Sequence, residues 1–173
     1  MKKIMPNKET ITKKIVDFIN EIGIETNYMQ IDEPTFLPGI LIKEGVIHID
    51  THKLLYPGDL LHEAGHVAVM TGEDRKKAVG NVGETKSQSE AGGEELAAIA
   101  WSYAASTYLS LAPEIVFHPE GYKGAADWYI EQYTGGTYIA LPYLQWLGLC
   151  YDEKQAALQQ AKPYPYMQKW LRD

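Results

Sequence analysis

The sequence predicts an α+β fold, mostly helical, with a small β-hairpin packed beside one buried helix. Three observations predict it. Ile11, Ile15, Phe18, Ile19 and Ile22 recur at three- and four-residue spacings, the period of an amphipathic helix over about 8–22, which Gly23 stops. Gly39-Ile40-Leu41-Ile42-Lys43 and Val46-Ile47-His48-Ile49-Asp50 flank Glu44-Gly45 and read as two strands of a hairpin. Leu60, Leu61, Ala64, Val67, Ala68, Val69 and Met70 make the next segment apolar almost all round, as in a helix buried on every side.

The remaining elements follow in order. Pro34 and Pro38 bracket a loop before the hairpin, and Pro57 and Gly58 set the start of the apolar helix, with Gly72 as its stop about four turns on. Residues 73–93 are polar and glycine-containing, a connection long enough to serve as a lid. Gly92-Gly93-Glu94-Glu95 then leads into an alanine- and aromatic-rich helix over about 94–111, ending before Pro113. A loop over 116–124 is followed by helical segments at about 125–133, 138–148 and 152–161. Gly135-Gly136 and Pro142 break these helices, and Pro163-Tyr164-Pro165-Tyr166 begins a short tail.

Length and composition bound the function. With 173 residues and 45% apolar content the chain suits one domain, 1–173, with its own core. Sixteen basic against 23 acidic residues give a net charge of −7, which repels a phosphate backbone, so nucleic acid is not an expected partner. The 12 Tyr and 4 Trp, lacking a basic groove beside them, read as core and cleft aromatics. No apolar run approaches the ~18 residues that span a bilayer. Met1-Lys2-Lys3-Ile4-Met5-Pro6 lacks the apolar core of a secretory signal, so the expected location is cytoplasmic, with no membrane partner. The single cysteine, Cys150, cannot form an internal disulfide and reads as a small core residue.

The chemistry concentrates in His62-Glu63-Ala64-Gly65-His66. Residues four apart on a helix share one face, so both imidazoles reach a single ion, while Glu63, about 100° round, reaches a water on that ion. The bland reading, two structural histidines bonded to carbonyls, leaves two imidazoles and a carboxylate to be desolvated in an apolar helix. A zinc site that does chemistry needs three protein ligands and one place for water. The metzincin continuation would put Gly at 69 and His at 72, where the chain has Val69 and Gly72, and the inverted H-x-x-E-H order is absent. The third ligand is therefore sought among downstream carboxylates. Glu95, one turn before Ala98 and two before Ser102, points along a face of small residues and is favoured, with Glu94 second. Acids opening a helix are also favoured by the macrodipole alone, and one of the pair is expected to be only that. Asp127 and Glu131, spaced i,i+4, are weaker candidates because that spacing commonly marks a solvated face.

With these residues the chain resembles the gluzincin HExxH zinc metallopeptidases, and among them the minimal zincin domains of the ImmA/IrrE type, over about residues 36–110. In that family a hairpin leads into an H-E-x-G-H helix, and a second helix carries the glutamate ligand in a pattern like E-x-x-A-N-x-F-A. Glu95, Ala98, Trp101 and Ser102 fall on its E, A, F and A, and Ile99 replaces the Asn or Asp. The resemblance implies a zincin-like domain and a Zn²⁺ cofactor held by His62, His66 and Glu95. It also implies a hydrolase acting on a peptide or protein substrate, with Glu63 as general base. In such a fold the edge strand of the sheet pairs with an extended peptide beside the metal. H-E-A-G-H also occurs in membrane-anchored AAA peptidases, but the chain has no G-x-x-x-x-G-K-[ST] loop.

Two rival classes remain open. A zinc-bearing interaction module without turnover is favoured by Ile99 and disfavoured by the intact Glu63. An amidase or deaminase acting on a small molecule is disfavoured because the H-x-E…P-C-x-x-C signature is absent. Around the site, His118 or Tyr122 could donate to an oxyanion; the alternative is that His118 caps a helix and Tyr122 packs. His48 either lines the cleft or is a surface strand residue.

Overall fold

The computed structural model describes residues 7–80 and 88–173, and the side chains of 7–80 and 92–173. The fold is α+β. Its first helix, α1 (Lys8–Glu21), is capped by Asn7, whose side chain accepts from the Thr10 amide, and ends at Ile22 before Gly23. Ile11, Ile15, Val16, Phe18 and Ile19 form its buried stripe, as the spacing predicts.

Three strands form one sheet in the order β1-β3-β2: β1 (Thr26–Tyr28), β2 (Ile40–Lys43) and β3 (Val46–Ile49). The hairpin β2–β3 is antiparallel, with Ile40 opposite Ile49 and Lys43 opposite Val46. Glu44 and Gly45 both take positive φ in the connecting turn, which suits a two-residue hairpin. Strict alternation buries Ile40 and Ile42 on one strand and Ile47 and Ile49 on the other. The short β1, parallel to β3, is not among the strands the sequence predicts: Thr-Asn-Tyr shows no apolar alternation and owes its strand to pairing with β3. At the outer edge of β2, Gly80 N–H donates to the Ile42 carbonyl and Val79 bridges Lys43, so part of that edge is already paired.

Helix α2 (Gly58–Val69) carries the histidine motif and is buried along Leu60, Leu61, Ala64, Val67 and Ala68. It stops earlier than Gly72. Met70 is extended and Thr71 is the N-cap of the short α3 (Gly72–Arg75), its hydroxyl accepting from the Asp74 amide. An N-cap requires extended backbone, and that requirement ends α2 before the glycine is reached. The connection expected as a lid contains α3 and residues 81–87, and the latter lie outside the described residues.

Helix α4 (Gln88–Tyr108) begins earlier than the sequence suggests, running through Gly92-Gly93 instead of starting after them. It packs along α2, where its Ala98 meets Gly65, and Ala97, Ala100, Ala104 and Ala105 are buried. After 3-10 turns at Pro113–Ile115 and Tyr122–Gly124 come α5 (Ala126–Thr134), which runs one residue past its predicted span, and α6 (Leu141–Trp146) and α7 (Glu153–Gln159), which lie inside theirs. The tail is more than a tail: Cys150 and Met167 form a β-bridge, Tyr164 is buried, and its hydroxyl donates to the Ala100 carbonyl. One apolar cluster thus runs from α1 through the sheet, α2 and α4 to Leu149, Cys150 and Tyr164. Among the described residues no helix is long and apolar enough to cross a membrane.

Candidate metal centre

The site sits where α2 and α4 touch. Gly65, inside the motif, is the point of contact: a Cβ there would lie 2.8 Å from the Ala98 carbonyl oxygen and 3.1 Å from its Cα. No side chain fits that gap. Ala98 is one turn past Glu95, so the close approach at Gly65 sets Glu95 beside His62 and His66.

The polar atoms converge. His62 Nε2 and His66 Nε2 are 3.1 Å apart, Glu95 Oε1 is 3.3 Å from the first and Glu95 Oε2 is 3.0 Å from the second. With Glu95 ionised, no placement of protons on the two imidazoles satisfies all three contacts. If both imidazoles donate to the carboxylate, the nitrogen pair becomes two donors facing; if one donates to the other, a lone pair faces a carboxylate oxygen. A cation among them turns all three groups into ligands. Around a tetrahedral zinc with ligands at about 2.0–2.1 Å, the ligand atoms lie about 3.3 Å from one another, which these separations match. The donor set therefore fits a metal. Glu63 belongs to the same cluster, since His62, Glu63 and His66 offer ligand atoms within 4.8 Å of one another, but both imidazoles meet Glu95.

Solvent reaches the group from one side. Glu95's side chain is 46% exposed, against 12% and 13% for the two histidines. Burial would raise the Glu95 carboxyl, but hydrogen bonds to His62 and His66 and their charge outweigh it and pull it well below the usual range. Burial pushes Glu63 the other way, up to about 7, against the pull of His66 and with repulsion from Glu95 and Asp59 adding to the rise. Two carboxyls in one site thus stand far apart in acidity, one a persistent anion and the other poised near neutrality. His62 Nδ1 is buried with no hydrogen-bond partner, and Ile99, at the position where the family pattern has Asn or Asp, is buried in apolar surroundings.

Glu95 stands about two turns inside α4, so the helix macrodipole, which acts within the first turn, does not account for it. Glu94 is its half-buried neighbour. Asp127 and Glu131 are exposed on α5, the solvated face their spacing suggested. His48 lies on the face of β3 opposite Ile47 and Ile49, with Nδ1 3.4 Å from the Asn27 amide nitrogen. Cys150 is buried, and burial pushes its thiol up to about 12, as suits a core residue.

The loop after α4 closes the remaining side. Tyr122 sets its ring edge-on to His62, 5.7 Å between centroids, packed by Phe117 and Tyr129. Its phenol is raised well above its ordinary value by burial and by the charges of Asp59, Glu95 and Glu63, so it stays an O–H donor. Tyr122 and Lys123 both have positive φ, 57° and 53°, a left-handed turn without glycine at either position. Such residues cost on the order of 1–3 kcal/mol each and persist where their surroundings fix them. His118 is buried and engaged by Asp59, its Nε2 2.8 Å from Asp59 Oδ1. Burial raises the Asp59 carboxyl, partly offset by the hydrogen bond and charge of His118. Neither Asp59 nor the left-handed turn is marked in the sequence by anything beyond an acid in a helix's first turn and glycines at 121 and 124.

Compared with known proteins, the chain matches no family model, no curated protein and no solved structure. What identifies it is a helix-borne His62-Glu63-His66 group able to hold a metal ion, set in a mostly helical α+β fold.

Proposed function

We propose that this chain is a zinc-dependent hydrolase of the gluzincin type that cuts peptide bonds, with His62, His66 and Glu95 holding the ion and Glu63 acting as general base. The observation that carries this reading is the triangle of two imidazole nitrogens and a carboxylate at 3.0–3.3 Å, which no arrangement of imidazole protons satisfies while Glu95 is ionised. A bound zinc ion supplies Lewis acidity, lowering the pKa of a water from about 9 on the aqueous ion towards about 7 and polarising a carbonyl.

The residues divide the rest of the work. Glu63, in the same cluster as the two histidines, takes a proton from the attacking water and hands it to the leaving amine nitrogen, the general acid–base role of a carboxylate beside the ion. Glu95, held ionised, keeps its charge through the cycle. Tyr122 offers a phenolic O–H beside His62, suited to an oxygen that gains charge in the transition state. His118 is engaged by Asp59, which leaves Tyr122 as the better donor of the two. Glu95 leaves the site open to solvent, which suits a substrate that approaches from outside, such as a peptide, over one enclosed in a buried cavity.

A second reading, a zinc-bearing interaction module without turnover, is supported by His62 Nδ1. Zinc-ligating histidines ordinarily donate this second nitrogen to a carboxylate or carbonyl, and here it has no partner.

Metal analysis and a peptide-library digest separate the two. Purified protein is expected to carry about one zinc per chain, lost in His62→Ala and His66→Ala. Glu63→Gln is expected to keep the zinc while hydrolysis drops by about 10²–10⁴-fold. Zinc without cleavage of any library peptide would favour the module, and no zinc in the wild type would overturn both.

A further inference from the structure

Asp59 lies one helical turn before His62 on α2 and His118 lies in the loop beyond α4, yet the two meet side chain to side chain, 2.8 Å apart and both more than nine-tenths buried. Their surroundings fix the histidine ring on three sides. Tyr56 stacks on it at 3.8 Å and 7°, Asp59 accepts from Nε2, and Gly121 presses on it so closely that a Cβ would lie 3.1 Å from Cε1. The chain leaves this contact directly into the left-handed pair Tyr122–Lys123, and Tyr122 lands edge-on against His62. The segment is tied at 118 to the same helix that its Tyr122 touches at 62, one turn apart. Burying a carboxyl and an imidazole is unfavourable by itself, so a pair placed here, with His118 Nδ1 left partnerless, is not a device for stability.

We propose that Asp59 and His118 are a positioning pair whose role is to hold the Tyr122 turn against His62. This rests on the metal-site reading for its purpose, but its geometry is testable without it. Neither residue touches the imidazole nitrogens of the metal centre; both act through Tyr122.

The test reads the side-chain ¹⁵N and ring ¹H resonances of His62 in the full chain, alongside zinc affinity by chelator competition. Y122A moves the His62 resonances because it removes the ring that packs on them. H118F, which keeps a ring to stack on Tyr56 but cannot bond Asp59, is expected to move them in the same direction and to weaken zinc binding by about 10-fold. D59N, whose amide oxygen still accepts from His118 Nε2, is expected to leave the His62 resonances close to those of the wild type. In the double variant H118F/Y122A the effect is expected to equal that of Y122A alone, since the histidine has nothing left to hold. Should H118F leave a buried carboxyl that unfolds the chain, D59L/H118F replaces the pair with hydrocarbon and takes its place in the cycle. His62 resonances unmoved in the folded pair variant, or effects that simply add in the double variant, would overturn the proposal. Failure of the wild type to bind zinc would overturn the metal reading and leave the resonance test to decide this one.

Discussion

At the scale of single residues, Gly65 governs the site more than its lack of chemistry suggests. Its hydrogen faces the Ala98 carbonyl where any Cβ would sit 2.8 Å away, and the atom in the way is backbone, which cannot rotate aside. Gly65→Ala is therefore expected to push α2 and α4 apart, destabilising the fold by about 1–3 kcal/mol. It should weaken zinc binding as Glu95 recedes from the two histidines. Chemical denaturation and chelator competition check the two effects, and a variant with wild-type zinc affinity would mean that the helix crossing does not place Glu95. The histidine pair is legible in the sequence because a helix's period is local: four positions fix both rings on one face. Glu95 is legible for a similar reason, through the small residues one and two turns on. Tyr122 and Lys123 are not, because their left-handed backbone is imposed by what they pack against and neither residue type favours it.

At the scale of elements, short-range patterns read well and junctions less so. The hairpin and α1 follow from periodicity, whereas the start of α4 does not. A Gly-Gly pair ordinarily marks a break, and here packing along α2 carries the helix through it. The junction between β3 and α2 depends on Asp50. Its Oδ2 accepts from the Ile31 amide and its Oδ1 from the His52 amide, tying the segment after β1 to the exit of β3. The bond from Ile31, with that from His52, draws the Asp50 carboxyl below its ordinary value despite burial. A carboxyl whose folded value is depressed contributes stability above its unfolded pKa, about 3.9, and loses it as pH falls through the folded value. The wild type should accordingly lose this contribution as pH falls below about 4. Asp50→Asn, whose amide can accept only one of the two bonds, should be weaker at pH 7 and flatter in acid. Unfolding midpoints measured from pH 2 to 7 provide the comparison, and parallel curves would remove Asp50 from this role.

At the scale of the whole molecule, the C-terminal segment closes the core that the candidate metal centre rests on. Trp170 meets Phe18 at 4.9 Å, Trp101 at 5.4 Å and Tyr108 at 5.4 Å, and its carbonyl accepts from Trp101 Nε1 at 2.9 Å. Two residues on, Arg172 N–H donates to the Ala68 carbonyl, while Arg75 bonds the carbonyls of Val67, Met70 and Arg172. These donors satisfy carbonyls at the end of α2 that no further helical turn supplies. Nothing in the local pattern of the last ten residues announces this, because the partners are about 60 to 150 positions away and only the closed fold brings them together. Trp170→Ala removes a ring shared by α1 and α4. Since Trp170 is only partly buried, the expected loss is about 2–3 kcal/mol, below the 3–5 kcal/mol of a fully buried tryptophan. The urea midpoint should fall, with the unfolding slope unchanged. Zinc added in excess should recover part of the loss in Trp170→Ala but none in Trp170→Ala/His62→Ala, because a ligand stabilises only the state that can bind it. Equal recovery in both would place zinc somewhere other than between α2 and α4.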